Sequence, residues 1–232
     1  LTTAEPATVE PRAAAYLNAH TVNLAFEKQP AGGLKSHRPF RDLLQAMDVV
    51  YTDGMAVVKE ARRRKIPVPE RVSAADFFLR FLWASSGRGR SVALVGGTKD
   101  LAGKCGAHLR AVVPSLHISL TQDGFFEPGS DRENALIERL KEARPAVVLL
   151  GMGSPQQEAF ALRLRDEARL PTIWCVGALF EYFTPGHRRH APLWMREWGL
   201  EWLYRLAQEP RRLSRRYLIG NLEFFFRCRT RK

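Results

Sequence analysis

The chain has 232 residues, 45% of them hydrophobic, and carries 36 lysines and arginines against 24 aspartates and glutamates. This length and apolar content suffice to bury a substantial core, which excludes a disordered chain and favours one domain with an appendage or two small domains. Cys105, Cys175 and Cys228 lie far apart without neighbouring ligands. A disulfide framework and a zinc site are therefore not expected, and a reducing cytosol fits the composition.

The N-terminal residues 1–12 are rich in Ala, Thr, Glu and Pro and have no apolar period. This predicts a disordered leader, with folded structure starting near Ala13. A signal peptide is not expected, because no basic segment is followed by an apolar one. The late apolar run at residues 217–226 is about half of the ~20 residues that a membrane-spanning helix needs.

Apolar runs typical of strands then alternate with segments of helical period. The predicted strands are residues 21–24, 49–51, 92–95, 117–120, 147–150 and 172–176, and the predicted helices are 55–64, 75–84, 100–112, 131–143 and 156–168. The alternation predicts an α/β fold, Rossmann-like, with a mostly parallel sheet covered by helices on both faces. Ligands of such sheets bind at the carboxyl ends of the strands.

The alternation stops near residues 186–192, so we predict a core domain at 13–190 and a helical appendage at 191–232. Residues 188–232 contain 12 lysines and arginines against four glutamates, interspersed with aromatic residues. Arginine suits phosphate binding, and tryptophan suits membrane interfaces. The appendage is therefore expected to contact a polyanion, an anionic membrane surface, or both.

Asp53 and Gly54 follow the second predicted strand and precede a helix. Asp53 fits two roles, a helix N-cap or a general base at the edge of the sheet. The two roles differ in their demand on its pKa, because a cap accepts amide hydrogen bonds that lower the pKa, whereas a base needs a pKa near the working pH.

Glycines follow a buried strand at Gly96 and Gly97, where backbone amides could approach a diphosphate. Neither GxGxxG nor GxxxxGK[ST] is present, which argues against a dinucleotide-dependent dehydrogenase and a P-loop nucleotide triphosphatase. At the first predicted strand end, Thr21 and Asn23 fit either sugar or base binding or ordinary turn chemistry.

The segment Gly151-Met-Gly-Ser-Pro-Gln-Gln-Glu158 follows another buried strand. Ser154 at the N-cap, Pro155 at the first helical position and Gln157 two residues later predict a capping box. That interpretation leaves Gln156 and Glu158 to support the helix dipole or to contact a ligand.

Taken together, these segments resemble the WecG/TagA/CpsF glycosyltransferases, family 26 of the sugar-transfer enzymes. The resemblance runs from about Ala13 to about Arg216 and rests on these strings: Thr21-Val-Asn23, Thr52-Asp-Gly54, Leu94-Val-Gly-Gly97, Gly151 to Glu158, Val176-Gly-Ala-Leu-Phe180, Ala191-Pro192, Glu201-Trp-Leu-Tyr-Arg205, Glu209-Pro-Arg-Arg212 and Arg215. It implies an inverting transferase that moves a sugar, N-acetylmannosamine or a related hexose, from a UDP donor to a polyprenyl-diphosphate-linked sugar of a bacterial cell-surface polymer or exopolysaccharide.

The resemblance also implies roles for single residues. Asp53 matches the proposed base, and the appendage arginines match those thought to fold over the nucleotide diphosphate. The remaining matches lie in the substrate pocket. The candidates are catalytic Asp53, Arg205, Arg212 and Arg215, and substrate-binding Thr21, Asn23, Gly96, Gly97, Gln157 and Glu181. Three departures from the family pattern, Thr52, Glu181 and His190, bear on the donor sugar more than on the reaction.

The sequence contains no Asp-x-Asp motif of the kind that holds a metal in many transferases. We therefore expect neither a metal nor a cofactor, with arginines neutralising the leaving diphosphate. The expected location is cytoplasmic, peripheral on the inner face of the cell membrane, without a nucleic-acid partner; self-association is left open. Two alternatives remain at this point, a basic nucleic-acid-binding module and an inactive scaffold of a polysaccharide assembly complex.

Overall fold

A computed structural model describes residues 10–27, 38–68, 70–187 and 190–230, except for the side chains of residues 193 and 197. Most of the predicted leader lies outside the described residues. The strands are β1 Arg12–Leu17, β2 Val49–Thr52, β3 Val92–Gly96, β4 Ile118–Gln122, β5 Val147–Gly151 and β6 Thr172–Cys175.

Helices follow the strands and form the C-terminal appendage. In chain order they are α1 Ala19–Phe26, α2 Phe40–Gln45, α3 Met55–Arg63, α4 Ala74–Ser86, α5 Leu101–Val112, α6 Asp131–Ala143, α7 Gln156–Asp166, α8 Leu179–Tyr182, α9 Leu193–Trp198, α10 Glu201–Gln208, α11 Pro210–Ser214 and α12 Gly220–Thr230, with a π-helical turn at Arg215–Ile219 between the last two. In the described ranges, no helix has both the length and the apolar character that a membrane crossing requires.

The strands form one sheet in the order β2-β1-β6-β5-β3-β4, and every strand pairing in it is parallel. Side chains alternate between two cores, as the period of two in a strand requires. In β5, for example, Val148 and Leu150 pack with α6 and α7, whereas Val147 and Leu149 pack with α4 and α5. The predicted α/β fold with helices on both faces is confirmed.

The predicted elements from residue 49 to residue 176 lie within two residues of their observed bounds. The strand predicted at residues 21–24 is wrong, because these residues belong to α1 and the first strand, β1, lies earlier. Asn18 starts α1: its side chain accepts hydrogen bonds from the His20 and Thr21 amides, and Thr21 Oγ1 accepts one from the Asn18 amide. This capping box outweighs the β preference of the apolar run.

The C-terminal helices pack against the body of the protein. Asn23 Nδ2 in α1 donates to the Gly220 carbonyl at 2.6 Å, and Arg64 Nη2 beyond α3 donates to the Cys228 carbonyl at 2.7 Å. Leu213 and Phe224 are buried. The appendage is therefore in place beside the carboxyl ends of the strands.

Charged side chains also join α9 and α10 to the body. Arg71 binds Asp76 of α4 at 2.5 Å and Glu201 of α10 at 3.3 Å, and Asp76 also binds Arg196 of α9 at 2.5 Å. Because the charges alternate in sign, each member has an opposite neighbour. The network holds Glu201 close to the end of β2.

Candidate active site

A cavity of about 600 Å³ lies at the carboxyl edge of the sheet. Residues that directly follow strands line it, as is usual for open parallel sheets. Those residues are Asn18 after β1, Asp53 after β2, Gly97 after β3, Met152 after β5 and Val176 after β6. Helices α8 and α10 and the π-helical turn close the other side, through Glu181, Glu201, Arg205 and Arg216. The volume suits a small-molecule ligand.

Asp53 does not cap α3. The N-cap residue is Gly54, and no side chain caps that helix end. Burial, and after it the negative charge of Glu201, raise the pKa of Asp53; Arg71, Arg205 and a hydrogen bond with Ser73 lower it, and the net pKa is about 6. Of the two roles that the sequence left open, the helix cap is therefore wrong, and a pKa of about 6 meets the demand that a general base makes.

Three arginines of the appendage line the same cavity: Arg205, Arg212 and Arg216. The Nε atoms of Arg205 and Arg216 are buried and have no hydrogen-bond partner among the described residues. Arg212 forms an ion pair with Glu209. A buried cation with an unfilled donor is costly unless an anion completes it, so this part of the cavity is suited to an anionic ligand.

The environments of the two buried arginines differ. For Arg205, burial disfavours the charged form, but Tyr182, Tyr217 and the carboxylates of Glu201 and Asp53 outweigh it and raise the pKa. For Arg216, burial and the positive charges of Arg205 and Arg212 lower the pKa. Both guanidinium groups remain charged at physiological pH. The repulsion among these arginines is relieved when an anion binds between them.

Of the residues that the sequence predicted, the structure brings Asp53, Gly97, Glu181, Arg205 and Arg212 to the cavity. Arg215 is exposed and does not line it, whereas its neighbour Arg216 does. The π-helical turn sets this choice, because it fixes which side chain faces inward. The sequence shows two adjacent arginines and carries no signal that separates them.

Thr21 and Asn23 are buried away from the cavity lining. Thr21 Oγ1 donates to the Asn18 carbonyl at 3.0 Å, and Asn23 binds the Gly220 carbonyl. These contacts start α1 and hold α12. The residues that face the cavity from this part of the chain are Tyr16, Asn18 and His20. Sequence reasoning missed them because it placed the first strand too late; an asparagine directly after an alanine-rich run was the available signal.

His20 is held as the neutral imidazole. Burial and the positive charge of Arg216 lower its pKa to about 4. A neutral imidazole both donates and accepts a hydrogen bond, so His20 adds no further positive charge to the arginine side of the cavity.

Gly96 is needed for close strand packing, and Gly97 lines the cavity. A Cβ on Gly96 would lie 2.4 Å from the Gly151 carbonyl carbon, so glycine is required where β3 meets β5. The Gly97 amide donates to the Gly151 carbonyl at 3.0 Å, and α5 begins only at Leu101. The Gly97 amide is therefore already bonded, and only Gly97 of the pair faces the cavity.

The capping box predicted at Ser154 is wrong. The N-cap of α7 is Pro155, without a side-chain cap, and Ser154 Oγ instead donates to Glu158 Oε1 at 2.7 Å. Gln157 is fully buried behind the cavity wall, and Gln156 lines the cavity. No three His, Cys, Asp or Glu side chains are grouped as metal ligands in the described part of the chain.

Asp53→Asn should stabilise the fold at alkaline pH. The pKa of Asp53 rises from 3.8 to about 6 on folding, so its charge costs the folded state free energy above pH 6. We expect the free energy of unfolding at pH 8 to increase by ~1–3 kcal/mol, and the gain to shrink between pH 6 and pH 4 and vanish below. Urea unfolding of the wild type and the variant across this pH range measures the difference in the free energy of unfolding.

Asp48→Asn is the matched control, for which we expect the opposite change in the free energy of unfolding. Burial alone would raise the pKa of Asp48, but hydrogen bonds from the Ala13 amide and from Arg165 lower it. Its charge therefore favours the folded state, and Asp48→Asn should lower stability at pH 8. Loss of stability at pH 8 in Asp53→Asn would contradict the assignment of a raised pKa to Asp53.

The family model described as "Glycosyl transferase WecG/TagA/CpsF family" matches residues 5–232, nearly the whole chain. The match agrees with the resemblance seen in the sequence motifs and covers both the sheet and the C-terminal helices. The chain therefore belongs to the WecG/TagA/CpsF family of glycosyltransferases, which transfer a sugar from a donor to an acceptor in cell-surface polymer synthesis.

Proposed function

We propose that this glycosyltransferase is an inverting enzyme that moves N-acetylmannosamine or a related hexose from a UDP donor to a polyprenyl-diphosphate-linked sugar, in making a bacterial cell-surface polymer or exopolysaccharide. The observation that carries the proposal is the presence in one cavity of Asp53, with a pKa of about 6, and the arginines Arg205, Arg212 and Arg216. Displacement at a sugar diphosphate needs a base for the acceptor and cations for the leaving group.

In the proposed reaction Asp53 accepts the proton of the acceptor hydroxyl. The hydroxyl oxygen forms a bond to the anomeric carbon of the donor sugar, and the bond from that carbon to the β-phosphate oxygen of UDP breaks. UDP leaves with the bonding electron pair. Attack on the face opposite UDP inverts the anomeric configuration in one displacement, through an oxocarbenium-like transition state.

The arginines stabilise the charge that develops on the diphosphate. Arg205 and Arg216 offer buried donors that lack partners among the described residues, and Arg212 lies at the more exposed part of the cavity. Arginine binds phosphate oxygens in a bidentate manner, which fixes direction as well as charge. We therefore assign the role of a metal to these side chains and propose that transfer is metal-independent.

The relation between Asp53 and Arg205 also favours this reaction. A diphosphate bound to Arg205 partly neutralises the cation that holds the pKa of Asp53 down. Donor binding then raises the basicity of Asp53, because less positive charge nearby favours its protonated form. The base thus gains proton affinity when the sugar is in place.

We further propose that the appendage lies on the anionic inner face of the cell membrane. Large apolar side chains are exposed along it: Trp194, Trp198, Leu203, Leu218, Ile219, Leu222, Phe225 and Phe226. Phe224 is buried and Trp202 packs near Tyr217, so these two aromatic side chains are not among the exposed ones. Exposed aromatics beside arginines are typical of interfacial helices, and each basic residue near an anionic leaflet contributes about 1 kcal/mol.

Asp53→Asn should abolish turnover and leave donor binding intact. We expect kcat to fall by ~10² to 10⁴-fold, because the amide accepts no proton in the reaction. In the wild type, kcat/KM should rise with pH and level off above about pH 6, where Asp53 is ionised. Product analysis on short-lipid acceptors and calorimetry with UDP-sugars measure both effects. Retained turnover in the variant would reject Asp53 as the general base, whereas a wild type without turnover on any UDP-sugar would favour the inactive scaffold.

Arg205→Gln and Arg216→Gln should each lower kcat by ~10² to 10³-fold, since each removes a stabiliser of the leaving diphosphate. Arg215→Gln is the matched neighbour, because it removes the same charge from an exposed position outside the cavity lining. The fall in kcat of Arg215→Gln should be far smaller. Equal losses at positions 215 and 216 would show that net charge, and not contact with the diphosphate, matters.

Binding to vesicles should depend on the exposed aromatics of the appendage. Trp198 is 71% exposed and Phe226 is 65% exposed. We expect the double variant Trp198→Ser/Phe226→Ser to sediment less with phosphatidylglycerol-containing vesicles, and the wild type to bind phosphatidylcholine vesicles weakly. Trp83→Ser, on α4 and 50% exposed, is the control and should bind as the wild type does. Equal binding by all three proteins would contradict membrane docking through the appendage.

A further inference from the structure

Glu158 is a fully buried carboxyl group that the proposed reaction does not use. It lies in the first turn of α7, directly behind the cavity wall. Its Oε1 accepts hydrogen bonds from Ser154 Oγ at 2.7 Å and from Gln157 Nε2 at 2.9 Å. Its Oε2 is buried without a hydrogen-bond partner among the described residues.

The surroundings of Glu158 disfavour a negative charge. The donors to its carboxyl group, namely Ser154, Gln157 and its own backbone amide, are uncharged. No arginine or lysine of the described residues forms an ion pair with it. An ionised carboxylate in such a place costs several kcal/mol, which favours the protonated acid. Burial accordingly raises its pKa.

Glu158 fixes which way the Gln157 side-chain amide points. Gln157 Oε1 accepts from the Gly177 amide at 3.1 Å, while Nε2 faces three oxygens, those of Glu158, Ser154 and Tyr16, at 2.9, 3.3 and 3.4 Å. Rotating the amide by half a turn would bring its oxygen towards these oxygens and its NH₂ towards the Gly177 N–H. The shortest of the bonds from Nε2 is the one to Glu158, so its acceptor contributes most to the orientation.

This orientation decides what the cavity wall presents to a ligand. Tyr16 and Ser154 both line the cavity. Tyr16 Oη accepts a hydrogen bond from Gln157, so its own O–H can donate to a ligand. Ser154 donates its O–H to Glu158, so its oxygen can only accept a hydrogen bond from a ligand. Tyr16 Oη also packs on Gly177, where a Cβ would lie 2.5 Å away.

We propose that Glu158 is a positioning residue, held as an uncharged carboxylic acid, which sets a donor at Tyr16 and an acceptor at Ser154 for a hydroxyl group of the sugar substrate. The proposal rests on the proposed function for the identity of the ligand as a sugar. A sugar hydroxyl fits this pair because it accepts one hydrogen bond and donates another.

The protonation state is tested without a substrate. The infrared difference spectrum between wild type and Glu158→Gln at neutral pH should show the carbonyl stretch of a protonated carboxylic acid. A carboxylate stretch in its place would overturn the proposal. Because this measurement needs no turnover, it decides the state of Glu158 even if the chain proved inactive with every UDP-sugar, which would reject the proposed function alone.

The positioning role is tested by size-matched variants. Glu158→Met removes the acceptor while filling the space, and should lower kcat/KM for the donor by about 10- to 100-fold, as loss of a buried partner does. Glu158→Gln should restore kcat/KM to within about 3-fold of the wild type, because its carbonyl accepts the same bonds. Glu142→Met, an exposed change on α6, is the matched control. Wild-type kcat/KM in Glu158→Met would overturn the proposal.

Two further readouts separate positioning from loss of structure. Hydrogen exchange of the Gly177 amide should be faster in Glu158→Met than in Glu158→Gln, since its acceptor is the Gln157 side chain. Tyr16→Phe should lower kcat/KM in the wild type but have little further effect in Glu158→Met, because the two changes act on one hydroxyl. If the falls in kcat/KM of Tyr16→Phe and Glu158→Met add fully, or if exchange of the Gly177 amide is unchanged, Glu158 does not act through Gln157 and Tyr16.

Discussion

Packing of the C-terminal helices across the carboxyl edge of the sheet brings arginine side chains and Asp53 into one cavity. Asn23 binds the Gly220 carbonyl, and Arg71 joins Asp76 to Glu201, so α12 and α10 are both held against the body of the protein. Without this packing the cavity would retain its strand-end residues but lose Arg205 and Arg216. The charge of the site therefore depends on contacts between parts of the chain that are far apart in sequence.

Electrostatics within the cavity is a balance of opposed effects. Burial and Glu201 favour protonation of Asp53, whereas Arg71 and Arg205 favour its ionised form, and the result is a pKa of about 6. Glu201 and Arg205 both come from α10. One helix thus supplies an anion that makes Asp53 more basic and a cation suited to phosphate, which couples the two chemical functions that sugar transfer requires.

Behind the charged cavity lies a neutral hydrogen-bond network. Gln157 links the turn after β6, the end of β1 and the first turn of α7, through Gly177, Tyr16 and Glu158. Both ends of the Gln157 amide have partners, and this gives the wall a single arrangement of donors and acceptors. The charged side of the cavity suits a diphosphate and the neutral side suits a sugar, a division that agrees with membership of a glycosyltransferase family.

The sequence by itself determined the α/β class, most element bounds, Asp53 at a strand end and the family, because these depend on local period, turn residues and motifs. It misplaced the first strand, since alanines carry little β preference and the capping contact of Asn18 with Thr21 overrode the later apolar run. Only the tertiary structure decided that Arg216 and not Arg215 lines the cavity, that Asn18 and Tyr16 reach it while Thr21 and Asn23 do not, and that Asp53 titrates near pH 6. Each of these depends on which side a residue presents and on charges from distant segments, and such neighbours are set by packing and are not encoded in local spacing.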